Sequence, residues 1–398
     1  MESISIKAVG DICPGDKGMP GFGVCSLSQK HGESFSLTHV NEVLGGDLVI
    51  GNLEGLITQQ VTTRGAANLL FCGEPSFAKA LSDAGFNVLN VANNHILEHG
   101  PEIFQETIGE LEKNNINICG LRDDSGKYYS KPVITEKNNL KIGILGYNWV
   151  GIDKFTNCDE YIAQSRDSIV NYTWERDVPA THSQENVSVA NSNVLKDIRK
   201  LKAEVDVVVL ITHWGFEFVN YPPYGVTLEA KSFIDAGVDL ILGGHPHVLQ
   251  GMEIYNNGHV FYSFGNFIFD MEIPETKKTA VLTCELSADG VNNWNMSFFK
   301  LNNHYQPMPA KGKELENIQK AFDDSCAKIV SDNRIIILDD NDVYRKYEEQ
   351  YNKGKYMSIL YHFRKALTNP KMIGVICRKG LNFGGLMFRR LLGEKVRW

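Results

Sequence analysis

Residues 238–251 read VDLILGGHPHVLQG: an apolar run closes on two glycines, and His245 and His247 follow on either side of Pro246. A short, continuously apolar run bounded by glycine has the length of a buried strand and not of a helix. Two imidazoles two apart point to the same side if the backbone stays extended, so both can reach one metal ion or one anionic group. On a helix they would diverge by about 200°. A surface loop can carry such a pair incidentally, so its meaning depends on whether the rest of the chain supplies partners.

The same grammar recurs. SISIKAVGD (3–11), DLVIGNLEG (47–55), FNVLNVANNH (86–95), LKIGILGYN (140–148), VDVVVLITHWG (205–215) and HVFYSFGNF (259–267) are apolar runs that meet polar or glycine-rich turns. Helical patterns lie between them at 75–84, 101–114 and 228–236. Alternating strand and helix predicts a layered α/β domain, and a run as apolar as VDVVVLI predicts a sheet covered on both faces.

Nearly every run ends in Asp, Asn, Glu or His. In open α/β sheets ligands bind beyond the strand ends, so these residues collect at one rim. In order they are Asp11, Asn52 and Glu54, then Asn93, Asn94 and His95, then His213, His245 and His247. Each has a bland reading of its own: Asp11 as a helix cap, Asn93 and Asn94 as turn residues, His213 as a buried core histidine. Those readings would all have to hold at once. Mixed nitrogen and oxygen donors suit Zn, Mn or Fe and suit calcium poorly. Two carboxylates allow one to bridge a pair of ions about 3.5–4 Å apart. Asn266 and Asp270 fall near the same rim, Glu217 can orient His213 or meet substrate, and His99 reads as a neighbour of the site.

Five ordered blocks, VGDICPGD, GNLEGLIT, GEPSFAKALSDAGFNVLNVANNHILEHG, THWGFEF and GGHPHVLQGMEIYNNGHVFYSFGNFIFD, span residues 4–270. Together they resemble the CapA family, associated with capsule and poly-gamma-glutamate synthesis and itself similar to calcineurin-like metallophosphoesterases. The resemblance implies a layered metallophosphoesterase-like β-sandwich flanked by helices over 1–306, with 157–192 as an insertion or lid. It implies Asp11, Glu54, Asn94, His213, His245 and His247 as metal ligands, and His95 as the imidazole that stabilises or protonates a leaving oxygen. Asn52, Asn93, Cys13, Glu217 and Asn266 are carried as supporting or substrate-contacting residues. Two departures stand out. The wider pattern begins D-x-H where this chain has Cys13, and GNLE replaces an aspartate-rich second motif, so Glu54 must supply any bridge.

The expected function is that of a metal-dependent hydrolase with one or two divalent transition ions (Mn, Zn or Fe). Its substrate would be a phosphoester or amide linked to capsule or other anionic polymer synthesis. The competing expectation, favoured by the missing histidine, is an accessory or binding protein of a polymer synthesis or export complex.

Bulk properties frame this reading. With 398 residues, 43% of them hydrophobic and 22% charged, the chain has the composition of a soluble globular protein. Eight scattered cysteines, without a C-x-x-C pair, predict a reducing, cytoplasmic setting, and neither a secretory signal nor a membrane-spanning run is read. The net charge of -8 is unevenly spread: residues 351–398 hold eleven Lys/Arg and one acid, Glu394, leaving 29 basic and 47 acidic residues before them. Helical patterning dominates 307–398. Its basic end, interleaved with Phe, Leu, Ile and Met, suits either peripheral contact with the anionic inner face of a membrane or docking on the acidic body. Nucleic acid is not an expected partner, because the body is acidic and no recognition module is present.

Overall fold

The computed structural model describes residues 3–18, 20–40, 43–150, 160–163 and 193–332, together with 345, 349, 352 and 353. Most of the excursion read at 157–192, and nearly all of the basic segment 351–398, lie outside the described residues.

The chain runs β1 (Ile4–Ile12), α1 (Val24–His31), β2 (Leu48–Leu53), β3 (Leu56–Ile57), α2 (Gln60–Arg64), β4 (Cys72–Gly73), α3 (Pro75–Asp83), β5 (Val88–Asn90), α4 (Pro101–Lys113) and β6 (Asn117–Cys119). It continues through β7 (Val133–Lys137), β8 (Leu140–Asn148), α5 (Asn193–Lys202), β9 (Val207–His213), α6 (Tyr224–Asp235), β10 (Leu240–Gly244), β11 (Met252–Tyr255) and β12 (Gly258–Phe261). It closes with β13 (Asn266–Ile268), β14 (Lys278–Ser287), β15 (Gly290–Leu301), β16 (Pro307–Pro309) and α7 (Gly312–Asp332).

Among the described residues two large sheets face each other. The first has the order β16-β15-β14-β1-β2-β5-β6, with β13 paired parallel to β1, and the second has the order β11-β12-β10-β9-β8-β7. Four neighbouring strands in each sheet run parallel: β1, β2, β5 and β6 in one, β8, β9, β10 and β12 in the other. Parallel strands present their carboxyl ends together, which makes a single rim out of chain segments far apart in sequence.

Side-chain alternation explains the layering. In β9, Val207, Val209 and Ile211 join the core between the sheets, while Val208 and Leu210 join the core beneath the helices. β10 divides the same way, Leu240 and Leu242 facing the other sheet and Ile241 the helices. In the first sheet Ile4, Ile6, Ala8, Leu48, Ile50 and Val88 fill the inter-sheet core, and Val49 and Leu89 point to helices α3 and α4. A strand buried on both faces must be apolar at every position, as the runs are. The result is a helix–sheet–sheet–helix sandwich, the layered α/β class expected.

Within HVFYSFGNF the chain changes sheets: β12 ends at Phe261 in the second sheet, and β13 starts at Asn266 beside β1 in the first. The chain crosses between the sheets through residues 262–265, turning at Gly265, whose φ is +68°. A Cβ on Gly10 would fall 1.8 Å from the Gly265 carbonyl oxygen, so the crossing needs glycine in β1. Helix α6 begins at Tyr224, directly after Pro223 and earlier than the predicted 228, since proline is favourable ahead of a first helical turn.

The far end of the described chain is part of this body. β16 pairs with β15, and Ile318 and Phe322 of α7 pack with Phe298, Leu249 and Ala310. Ser325 accepts the Gly251 N–H at 2.8 Å and donates to the Asn220 carbonyl at 2.7 Å.

On the opposite flank, Asp197 of α5 fastens the helix to the sheet. Its buried carboxylate accepts the N–H groups of Tyr129 (2.9 Å) and Ser130 (2.7 Å) and the Tyr147 hydroxyl (2.6 Å). Replacing Asp197 with Ala strands three buried donors, and the expected loss is about 2–4 kcal/mol of stability. A thermal melt of Asp197→Ala that matched the natural protein would show that these bonds do not hold α5 in place.

Candidate metal centre

Strand register builds the site. Asp11 of β1 lies opposite Asn52 of β2 and Asn266 of β13, and Asn52 lies opposite Asn90 of β5. In the second sheet His213 of β9 lies between Asn148 of β8 and Gly244 of β10. Two rows of polar strand ends therefore meet across the top of the sandwich. They come close: a Cβ on Gly244 would lie 2.6 Å from Asp11 Oδ1, so the second sheet can approach the carboxylate only where it has no side chain.

Asp11, Glu54 and His213 are fully buried and bring ligand atoms within 4.8 Å of one another. His247, also fully buried, places Nε2 3.5 Å from Glu54 Oε1, and its Nδ1 lies 3.6 Å from Asp11 Oδ2. The His245 ring centroid is 4.8 Å from that of His213 and 5.9 Å from that of His247. The His245 N–H donates to Asp11 Oδ2 at 3.1 Å. His213 Nε2 lies 2.9 Å from Asn94 Oδ1. His95, at the open side, has Nε2 3.9 Å from Glu54 Oε1 and Nδ1 3.4 Å from Glu98 Oε2. The six residues expected as ligands, and His95, thus converge although they span most of the sandwich.

The pair at 245 and 247 arrives by a different route from the one the spacing suggested. Strand β10 stops at Gly244, and both histidines have left-handed backbone, φ +93° at His245 and +57° at His247. They share the site because a strained loop turns each ring inward, not because extended backbone alternates. Non-glycine residues in this region cost on the order of 1–3 kcal/mol each and gather at functional sites.

Amides and carboxylates around the rings set their tautomers. Asn266 Nδ2 donates to the Thr276 carbonyl at 3.2 Å, which leaves Oδ1 to accept from His247 Nδ1–H at 2.8 Å. His247 Nε2 is therefore an unprotonated donor aimed at Glu54. Asn52 Nδ2 donates both to Asp11 Oδ1 (2.8 Å) and to His213 Nδ1 (3.2 Å), and Asn52 Oδ1 accepts from Asn90 (2.9 Å) and Asn93 (3.4 Å). Asn93 also donates to the Leu53 carbonyl at 2.7 Å. Asn52, Asn93 and Asn266 brace the cluster from behind; Glu217 stands beside it, 3.9 Å from His247 Nε2.

Cys13 and His99 lie differently. The Cys13 thiol packs among Phe71, Phe269 and Leu145, donates to the Gly15 carbonyl at 3.8 Å, and is pushed up well above the ordinary thiol range by burial and by Asp270. It is a neutral thiol and not a thiolate. His99 Nε2 donates to the Leu70 carbonyl at 2.8 Å. Three participants escaped the sequence reading. Asn90 ends its strand in asparagine and could have been found by the rule that found the others. Phe71, stacked on His95 with centroids 3.8 Å apart, and Lys17, in the loop after β1, carry no such signal.

Electrostatics test whether a cation fits. Among the described residues neither oxygen of the Glu54 carboxylate has a hydrogen-bond partner, and His245 Nδ1 and His247 Nε2 are equally without one. Burial drives Asp11 up to about 7 and, with the neighbouring Asp11 charge, drives Glu54 well above the carboxylate range. Burial likewise holds His245 at about 3 and His213 and His247 well below the usual imidazole range. Neutral imidazoles and carboxylates that lack a counter-charge form the donor set of a divalent transition ion, and such an ion supplies what these atoms lack. The residues fit.

The sign of the pH dependence follows. The imidazoles stay neutral down to low pH, but Asp11 keeps a proton below about 7, and an incoming cation must displace it. Metal affinity should fall about tenfold per pH unit for each proton displaced as pH drops below 7. Competition against a chromophoric chelator between about pH 5.5 and 8 measures this, and a flat profile would mean that Asp11 binds no metal.

The family of bacterial capsule synthesis proteins designated PGA_cap matches residues 5–271. The capsule biosynthesis protein CapA of Bacillus anthracis is 30% identical over 298 residues, covering 73% of this chain and 65% of that protein. The PGA biosynthesis protein CapA of Bacillus subtilis (strain 168) is 28% identical over 316 residues, covering 79% of this chain and 75% of that one. The chain thus spans just under two thirds of the length of the first of these relatives. A solved structure of a hypothetical protein from Thermus thermophilus superposes with a TM-score of 0.40 at 12% identity, over 74% of this chain and 99% of that one, too loosely to carry an argument.

Proposed function

Because the chain belongs to the PGA_cap family of bacterial capsule synthesis proteins, we propose that it is a metal-dependent hydrolase of a phosphoester formed during anionic polymer synthesis. The observation that carries this reading is the buried Glu54 carboxylate, unpartnered among the described residues and ringed by Asp11, His213 and His247. Asp11, Glu54, Asn94, His213, His245 and His247 would hold a divalent transition ion such as Mn, Zn or Fe, which supplies Lewis acidity and a water-derived nucleophile near neutral pH.

The protein's own groups do the rest. Asn266 holds the His247 proton at Nδ1 and keeps Nε2 free as a donor. Asn52 steadies Asp11 and His213 together. His95 stands at the open side with its ring plane set by Phe71 and its Nδ1 turned to Glu98. That carboxylate favours a proton on the ring, and Nε2 can pass one to the leaving oxygen.

A broad phosphoester screen with protein loaded with Mn or Zn tests the proposal. His95→Ala should lower turnover by about a hundredfold or more, the usual worth of a placed acid, with metal content unchanged. Equal loss of metal and turnover would make His95 a ligand. Fully loaded protein that hydrolyses nothing in the screen would leave the accessory reading, a metal-dependent binding platform.

No helix among the described residues is long and apolar enough to cross a membrane. We propose that the basic residues 351–398 attach the acidic body to an anionic membrane surface, since each such residue near one is worth about 1 kcal/mol. Full-length protein should sediment with anionic liposomes at low salt and be released at high salt, and a chain truncated after Gln350 should not sediment. Equal behaviour of the two, with poor solubility of the shorter, would place the segment on the body.

A further inference from the structure

Resting on the hydrolase reading, we infer that Lys17 is the anion-binding residue of this site, its ammonium receiving a phosphoryl oxygen of a group seated at the metal centre.

The loop after β1 is built to hold Lys17 in place. The buried Asp270 accepts the Lys17 N–H with both carboxylate oxygens, at 3.1 and 3.0 Å. One residue earlier, the buried Asp16 accepts the N–H groups of Gly21 (2.7 Å) and Ser26 (3.0 Å) and the Ser26 hydroxyl (2.6 Å), and the Asp16 carbonyl accepts the Phe71 N–H at 3.3 Å. Two buried carboxylates thus anchor a short loop on both sides of one lysine. Nothing in the hydrolytic cluster itself requires that much fastening.

The side chain then runs to the site. Its ammonium lies 5.8 Å from the centroid of Phe71 and 5.8 Å from that of Phe269. These two rings line the centre: Phe71 stacks on His95, and Phe269 meets the His247 ring edge-on at 4.8 Å. Lys17 is therefore suspended between the leaving-group side and the metal side of the site. Among the described residues these rings are the contacts its ammonium makes. Lys277, by contrast, is bonded to Glu272 at 2.7 Å, and Lys79 to Asp83 at 2.6 Å. Lys17 is half-buried, so its charge is little screened yet reachable.

Charge balance gives the reason. Glu217, Glu98 and Asp270 stand around the site, and a bound divalent ion would draw the protons from Asp11 and Glu54 as well, an acidic setting that repels an anionic substrate. A divalent ion offsets part of it, and a fixed lysine at the mouth offsets more and adds direction. Its field already reaches the cluster: after burial, the Lys17 charge is the next cause holding His247 below the imidazole range, and it acts on His245 and Glu54 as well. An ammonium with three donors, held by two aromatic faces and without an ion pair among the described residues, is placed to take an oxyanion.

Calorimetric titration of the Mn-loaded full chain with inorganic phosphate tests this, alongside Lys17→Gln and Lys17→Arg. Lys17→Gln should weaken phosphate by about tenfold, the worth of one charge-assisted hydrogen bond, with Mn content and melting temperature unchanged. Lys17→Arg should recover most of the loss. Should Lys17→Gln melt lower, Lys17→Met keeps the stem between the rings and gives the same comparison. Equal phosphate affinity in all forms, no phosphate binding by the natural protein, or joint loss of Mn and phosphate would each overturn the inference. Lys17-dependent phosphate binding in a protein that hydrolyses no phosphoester would sink the hydrolase reading alone, and hydrolysis with a KM indifferent to Lys17→Gln would sink this one alone.

Discussion

A carboxylate buried in a protein interior without partners is among the most destabilising arrangements a fold can contain. Glu54 is such a group, and the architecture around it is organised by that cost. The parallel strands of both sheets deliver amides and imidazoles to the same depth. The amides take up each other's hydrogen bonds, Asn90 to Asn52 to Asp11 and His213, Asn266 to His247, until what remains pointing at Glu54 is a set of lone pairs. Lone pairs repel one another unless a cation sits among them. The supporting network and the unsatisfied centre are therefore one design, in which the bonds behind the site orient Asp11 and His213 and hold the His247 proton at Nδ1, away from Glu54.

The fold was legible because its strands are buried on both faces. Val207–His213 has no polar residue before Thr212, so neither a helix stripe nor an edge strand could use it. Site residues were legible for a linked reason: in a strand that apolar, a terminal Asp11, Asn52 or His213 breaks the pattern. That criterion works one strand at a time and is blind to what loops do afterwards. It placed His245 and His247 together by an extended-strand argument, whereas the backbone at both is left-handed. Phe71 and Lys17 were invisible, since a loop aromatic and a loop lysine look like any others until the tertiary fold brings them against His95 and His247.

Cys13 stands two residues after Asp11. Burial and the Asp270 charge raise its thiol well above the ordinary range, and the thiol donates to the Gly15 carbonyl. The position that elsewhere would carry a histidine thus contributes packing in place of a ligand. The imidazoles divide: His245 and Asn94 gather around His213, whereas His247 meets Phe269. Against the rings of His95 and His247 stands the loop that Asp16 and Asp270 fasten, with the Lys17 ammonium between Phe71 and Phe269. That fixed charge stands beside the carboxylates and imidazoles that would hold a divalent ion, so an anionic group seated there would meet positive charge from two directions.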